Sequence, residues 1–282
     1  MFKEVLGAFG RAARSLFRWP TFALIAGVNV AVLLMISAFI GTGVATAGEV
    51  VWSFVSSLVF LALFFGWQAL SARYVSDRDL RALTRNSLTA TGKIALVAVA
   101  SILLAALIVY SLGALEARLF APAPKGEAMD EAIAHAAESP GDKVAWARVS
   151  FGAVKFLLLG IALPLVTARL WSLMARWSLR DAPWRRALAT AFSPMAVLTY
   201  LIGFVVFAVL PLALLSLRLQ TRAVWLEVSF FGLRLALAAA LFSFGWTLTL
   251  GALTVLFEKE SARSDAPPST AQPEPTLSEA PS

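Results

Sequence analysis

The sequence predicts an all-α membrane protein, a polytopic bundle of six transmembrane helices. Six apolar runs predict this fold, at residues 21–40, 51–70, 94–113, 151–171, 196–217 and 235–257. Each run is about 20 residues long, which crosses a hydrocarbon core of ~30 Å at 1.5 Å per residue. The chain is also 59% hydrophobic and only 15% charged, which a soluble domain does not need. Because barrel strands are half as long and alternate in polarity, we expect helices.

Lysine and arginine are concentrated in alternate connections between these runs, and this pattern sets the orientation. Three stretches are basic: 1–20, 71–93 and 172–190. The connection at 41–50 has no lysine or arginine. By the positive-inside rule the basic stretches are cytoplasmic, and six spans then place both termini on that side. We therefore expect a multi-pass protein of the bacterial cytoplasmic (inner) membrane with a long outer loop at 114–150.

The formal net charge of +7 is a topology signal and also attracts the anionic lipids of the inner leaflet. Nucleic acid is not an expected partner, because the cations are spread over several loops without a reader motif. The arginines of the cytoplasmic side are the candidate contacts for anionic lipid headgroups: Arg11, Arg14, Arg18, Arg81, Arg85, Arg185 and Arg186.

Further cations lie near the ends of spans. Lys155 and Arg234 are near the outer ends of spans four and six, Arg218 and Arg222 precede span six, and Arg169 is near the inner end of span four. The simpler interpretation is that these long side chains snorkel to the interface. The sharper hypothesis is an outer basic rim of the four outer cations, which binds a phospholipid headgroup or docks the acidic outer loop. The cations before span six are also the weak point of the topology, because they lie outside.

The chain carries an internal repetition in which a basic amphipathic segment leads into two spans. The segments lie at 5–19, 77–91 and 179–193, and a Phe-Gly-Trp motif recurs at 65–67 and 244–246. This pattern predicts three helical hairpins, each preceded by a cytoplasmic amphipathic helix. The simpler role of these helices is anchoring; the functional alternative is recognition of anionic lipid or of a partner.

A candidate cleavage site near the N-terminus and a polar C-terminal segment decide which residues belong to the predicted bundle. Ala45-Thr46-Ala47 has the small-residue pattern of a signal-peptide cleavage site, but run 21–40 exceeds the apolar core of a cleaved signal. We favour an uncleaved first helix; cleavage would leave five spans. From Lys259 the chain is rich in Pro, Ser and Ala without aromatic residues, which predicts a disordered cytoplasmic tail at 259–282 after a membrane domain at 1–258.

Catalytic side chains are scarce in this sequence. The six runs contain no Asp or Glu, the chain has no cysteine, and the single histidine, His135, lies in the outer loop. An intramembrane enzyme needs a nucleophile with a base, or metal ligands such as those of an H-E-x-x-H motif. We therefore predict a protein that is not an enzyme and has no metal or cofactor. Ion-coupled transport commonly uses membrane carboxylates and is also disfavoured.

Two prolines lie inside predicted spans and are the candidate helix kinks. Pro164 and Pro211 each remove a backbone donor, and Asn29 and Gln68 add uncharged polar groups to spans one and two. The simpler interpretation of all four is packing between helices. The functional alternative is a cavity between kinked helices that takes an amphiphile.

The layout resembles a broad set of bacterial six-span membrane proteins. The resemblance rests on the basic N-terminal segment, the three hairpin-like units and the proline of Ile161-Ala162-Leu163-Pro164 in span four, although Leu165 stands where these families often have glycine. The set includes YciC-like inner-membrane proteins and the membrane domain fused to some glycerophosphoryl diester phosphodiesterases. The resemblance covers about residues 1–258. It implies no phosphodiesterase activity, since the sequence contains no phosphodiesterase domain.

The sequence therefore favours a non-enzymatic membrane protein that interacts with membrane lipids, above all anionic lipids. It could equally be a component of a membrane complex, formed with a protein partner or with further copies of the same chain. The main alternative is a permease or a translocator of lipids or amphiphiles. An intramembrane enzyme is the weakest alternative.

Overall fold

A computed structural model describes residues 1–41, 46–120, 140–217 and 224–265, and every regular element in these ranges is a helix. The first four helices are α1 (Phe2–Leu16), α2 (Trp19–Gly41), α3 (Ala47–Arg73) and α4 (Leu80–Leu119). The next two, α5 (Pro140–Phe156) and α6 (Leu163–Met174), are joined by a π-helical segment, Leu157–Ala162. The remainder comprises α7 (Trp184–Ala191), α8 (Pro194–Phe204), a second π-helical segment (Val205–Val209), α9 (Leu210–Ser216) and α10 (Val224–Asp265).

Six helical stretches are long and apolar enough to cross a membrane, which confirms the predicted number. They are Trp19–Gly41, Ala47–Arg73, Leu80–Leu119, Trp146–Met174, Pro194–Ser216 and Val224–Glu260. Most of their apolar surface is not covered by the protein itself: large side chains such as Leu103 and Leu212 are two-thirds exposed. A soluble protein would not leave such a belt uncovered, whereas lipid tails solvate it.

The predicted amphipathic segments fold in different ways. α1 is separate from α2, and α7 is separate from α8; Pro20 and Pro194 stand in the first turns of the helices that follow. The second segment, at 77–91, is not a separate helix, because α4 begins at Leu80, capped by the Asp79 carboxylate, and continues for 40 residues. No proline divides this segment from the span after it, so nothing ends the helix there.

The outer loop is shorter than predicted, since helices occupy both of its ends. α4 continues to Leu119 and α5 begins at Pro140. The middle of the predicted loop, with His135, lies outside the described residues, as do Ala45 of the candidate cleavage site and the tail from 266 onward.

Helix α10 is the centre of the bundle and packs against α1, α3, α6, α8 and α9. Residues 249–257 of this helix are buried on all sides. Close approach requires small residues here: a Cβ on Gly251 would lie 2.0 Å from the Tyr74 hydroxyl, and one on Gly203 of α8 would lie 2.2 Å from Thr249 Oγ1. Glycine at these two positions therefore lets α3 and α8 reach the central helix.

The repeated Phe-Gly-Trp motif forms reciprocal hydrogen bonds between α3 and α10. Trp67 Nε1 donates to Thr247 Oγ1 at 3.1 Å, and Trp246 Nε1 donates to Gln68 Oε1 at 2.7 Å. Each indole thus bonds the residue that follows the other tryptophan. These bonds satisfy polar groups that lipid would leave unpaired, and Gln68 accordingly serves helix packing.

Candidate functional site

One end of the bundle, called the basic end here, combines α1, the α3–α4 and α6–α7 connections and the last turns of α10. The predicted lipid-contacting arginines lie on α1 or just after it, on the first turns of α4 and on α7, and the side chains of Arg11, Arg14, Arg18, Arg81, Arg85 and Arg185 are exposed. Arg186 lies in α7, with its side chain outside the described part. Cationic side chains from three separate elements are therefore available to solvent or to headgroups at this end.

Three consecutive residues at the end of α10 hold other elements at the basic end. Lys259 Nζ donates to Glu4 Oε1 of α1 at 2.6 Å, and Ser193 Oγ donates to Glu260 Oε1 at 2.8 Å. The residue before them, Glu258, contacts both the α3–α4 connection and the α6–α7 connection. These contacts order residues that the sequence assigns to a disordered tail, and α10 continues to Asp265.

The α3–α4 and α6–α7 connections meet through Glu258. Its Oε1 accepts a hydrogen bond from Ser76 Oγ at 2.8 Å and forms an ion pair with Arg176, whose Nη2 also donates to Ser76 at 2.8 Å. Arg73 of α3 also reaches across and donates to the backbone carbonyl of Ala175. A polar network therefore closes the basic end around the last turns of α10.

Asp77 is the acid at the centre of the α3–α4 connection. Arg73 Nε and Asn86 Nδ2 donate to its Oδ2 at 2.8 and 3.1 Å. Burial alone raises the pKa of Asp77, but the hydrogen bonds from Arg73 and Asn86 and the charges of Arg73 and Arg176 outweigh it and lower that pKa. The carboxylate is therefore ionised at neutral pH and contributes to the connection as an anion.

A cavity of about 660 Å³ opens at the basic end between α6, α7 and α10. Arg169 and Ser172 of α6 line it from one helix face, since they are three residues apart, and Arg176 of the α6–α7 connection lines it as well. Arg169 is only 6% exposed; its guanidinium carbon lies 3.8 Å from the centroid of the Phe257 ring, and Nη2 donates to Thr190 Oγ1 at 3.0 Å. The snorkelling interpretation is therefore wrong for Arg169, because an aromatic face and hydrogen bonds hold it inside the protein.

The opposite end holds the described members of the predicted outer rim. Lys155 Nζ forms an ion pair with Glu116 and lies 5.0 Å from the Phe151 ring centroid. Arg234 is buried, with its guanidinium carbon 5.0 Å from the Phe230 ring centroid. Arg218 and Arg222 lie outside the described residues. The structure thus brings Lys155 to an acid of the predicted outer loop and gives Arg234 an aromatic contact, while the rim itself stays a prediction.

Both predicted kink prolines stand two residues after the end of a π-helical segment. Pro164 is the second residue of α6, and Pro211 is the second residue of α9. In an unbroken α-helix the N–H of residue 164 would bond the Gly160 carbonyl, which proline cannot do. Tyr200 Oη of α8 donates to that carbonyl instead, at 2.9 Å. The proline in span four thereby creates a hydrogen-bonding link between two spans.

Pro164 also lines an apolar groove of about 420 Å³ between α3, α4 and α6. Its walls are almost wholly apolar and include Phe60, Ile102, Trp171 and Trp246. A second groove of about 450 Å³ lies between α2, α3 and α4. These volumes are of the size that takes part of a small apolar molecule.

Sequence reasoning missed the contacts that organise the basic end. The sequence pattern indicates only a topology role for Arg73 and Arg176, and it places Glu258 and Glu260 at the border between the membrane domain and the predicted tail. Two acids directly after an apolar run, facing basic connections, are a signal that could have found them. In the part of the chain that the structure describes, no three His, Cys, Asp or Glu side chains come together as a metal site.

Comparisons with models of protein families, with curated proteins and with solved structures find no match to this chain. The resemblance to six-span bacterial membrane proteins therefore stays a prediction.

Proposed function

We propose that this protein is a component of the bacterial cytoplasmic membrane that binds anionic lipid with its basic end, without catalysing a reaction. Both termini would then lie in the cytoplasm. A role inside a membrane complex, with a protein partner or further copies of the chain, is compatible with the same surface.

One observation carries this proposal: exposed arginines from α1, α4 and α7 lie at the same end of a bundle of apolar helices. Each Lys or Arg near an anionic leaflet contributes about 1 kcal/mol of attraction. Six described arginines can therefore give a strong preference for anionic over zwitterionic lipid. A surface with this charge needs no enclosed pocket, since lipid headgroups reach it from the bilayer.

Native mass spectrometry of the detergent-extracted protein tests the proposal, because it reports retained lipids and partners together. We expect phosphatidylglycerol or cardiolipin to be retained in preference to phosphatidylethanolamine. The double variant Arg81→Gln/Arg85→Gln should weaken that preference, by about 2 kcal/mol for the two charges removed. Arg148→Gln, which removes an exposed charge at the opposite end, is the matched control. Equal retention of anionic lipid in all three proteins would contradict the proposal.

A second candidate function, translocation of a lipid or amphiphile, is favoured by the apolar groove beside Pro164. The groove is lined by Leu163 and Pro164, which follow the π-helical segment that interrupts span four, and such interruptions are frequent at functional sites. Flux of a fluorescent lipid analogue across proteoliposomes tests this candidate. Flux that Ile102→Trp blocks by filling the groove would favour translocation; the absence of flux would favour the lipid-binding role.

We also infer that the bundle is built from three hairpin units that begin with basic amphipathic segments. The reciprocal bonds of Trp67 and Trp246 support this, because they relate the trailing helices of the first and third units to one another. Parallel repeats of this kind are related by an axis along the membrane normal. The exposed arginines would then recur with the repeat on one side of the membrane.

A further inference from the structure

The cavity at the basic end contains the groups that recognise a phosphate. Arg169 of α6 and Arg176, which follows the end of α6, both line it, and Ser172 of α6 lies between them in the sequence. Guanidinium groups bind phosphate oxygens through charge-assisted hydrogen bonds. Ser172 Oγ donates its hydrogen to the Arg169 backbone carbonyl at 2.8 Å, so the two guanidinium groups are the cationic donors that can converge on one anion.

Hydrogen-bonding capacity remains in this cavity. Thr254 of α10 lines it, is fully buried, and its Oγ1 has no partner among the described residues. Arg176 Nη2 donates to Ser76 and Glu258. Among the described residues, Nη1 and Nε of Arg176 have no partner and can therefore donate to a ligand. A buried hydroxyl without a partner is costly, and a bound acceptor would remove that cost.

We propose that this cavity binds a phosphate group, carried either by a lipid headgroup or by a soluble molecule. The volume of about 660 Å³ is within the range of small-molecule sites. Asp181 and Glu258 also line the cavity and balance the two arginines. A cationic substituent of the ligand, such as an amine, would lie against these carboxylates. The inference goes beyond the proposed function, because it concerns the cavity between α6, α7 and α10 and not the exposed arginines.

The test titrates inorganic phosphate into the whole chain in detergent and measures the heat of binding by calorimetry. Arg176→Gln should weaken binding about tenfold or more, because a charge-assisted hydrogen bond is lost. Glu258→Gln should strengthen it, because that change removes a negative charge and releases Arg176. Arg180→Gln, an exposed arginine of the same connection outside the cavity lining, is the matched control and should leave affinity unchanged.

A parallel measurement counts phospholipid phosphorus retained by each variant after delipidation. Saturable binding of inorganic phosphate with these opposite effects identifies a soluble phosphate compound as the source. Retained phospholipid that falls in Arg176→Gln alone, without binding of inorganic phosphate, identifies a lipid headgroup. No change in either measurement, or equal weakening by Arg176→Gln and Glu258→Gln, overturns the proposal.

Thr254→Val keeps the test decisive if the arginine variant does not fold. It preserves the side-chain volume and the Arg176–Glu258 ion pair and removes only the hydroxyl. We expect phosphate binding about threefold weaker with an unfolding midpoint that is not lowered, because the variant removes a buried hydroxyl without a partner among the described residues. Unchanged binding in this variant contradicts a role for Thr254 in the site. The Arg81→Gln/Arg85→Gln variant tests the proposed function separately, since neither residue lines the cavity.

Discussion

The hydrogen bond from Tyr200 to Gly160 should stabilise the protein only because residue 164 is proline. The hydroxyl lies 2.9 Å from the carbonyl, and Tyr200 is only 3% exposed, so water does not replace the bond. Hydrogen bonds between membrane helices contribute ~0.6 kcal/mol on average, and a buried carbonyl left unpaired costs ~1–3 kcal/mol. We therefore expect Tyr200→Phe to lower the free energy of unfolding by about 1–2 kcal/mol.

A double-mutant cycle isolates this effect. In a Pro164→Ala background the N–H of residue 164 can bond the Gly160 carbonyl, so Tyr200→Phe should then cost about 0.5 kcal/mol or less. Reversible unfolding in mixed micelles, titrated with dodecyl sulfate, measures all four proteins. Tyr200→Phe keeps the ring contacts with Phe204 and Phe207, and so changes only the hydroxyl. An equal cost in both backgrounds would refute the assignment of Tyr200 to the carbonyl that proline leaves unpaired.

Three further predictions concern the packing and the charges of the basic end. Gly251→Ala should destabilise the protein by about 1–3 kcal/mol, because the new Cβ would overlap the Tyr74 ring, whereas Gly66→Ala, which meets no atom within 4 Å, should be tolerated. Because folding lowers the pKa of Asp77, the ionised carboxylate stabilises the fold at neutral pH, and this stabilisation is lost as the pH falls through the lowered pKa. The Asp77→Asn variant should therefore lose less stability in acid than the parent protein. Removal of residues 266–282 should leave the unfolding midpoint unchanged, because the contacts described for α10 come from earlier residues.

Thermal unfolding of purified variants, followed by tryptophan fluorescence, checks all three. Equal midpoints for the two glycine variants would contradict the close approach of α3 and α10. Parallel acid profiles for the parent and Asp77→Asn would show that this carboxylate does not contribute. A lower midpoint after truncation would place part of the bundle's stability in the removed segment.

The six spans could be predicted because they depend on the length and composition of local segments alone. Helix ends were harder to predict, since α4 runs through the segment at 77–91 that the sequence treats as a separate amphipathic helix. A helix continues until something ends it, and this segment lacks the proline that divides α1 from α2 and α7 from α8. Hydropathy marks where a helix is in lipid and not where it stops.

The candidate sites depended on contacts between residues distant in sequence. Pro164 could be identified from the sequence, but the hydroxyl that satisfies Gly160 comes from another span. The sequence suggests a snorkelling side chain for Arg169, because its contact with Phe257 of the central helix cannot be inferred from local residues. The cavity at the basic end needs α6, α7 and α10 together, so no local pattern could predict it.

The most direct test of the central claim, that the basic end faces the cytoplasm, uses the fact that the chain has no cysteine. Single cysteines at Arg185 of the basic end and Arg148 of the opposite end give two reporters on exposed positions. A membrane-impermeant thiol reagent is applied to intact spheroplasts, with lysed cells as the control. We predict labelling of Arg148→Cys in both samples and of Arg185→Cys only after lysis. Labelling of Arg185→Cys in intact spheroplasts would contradict the orientation and the binding of inner-leaflet lipid.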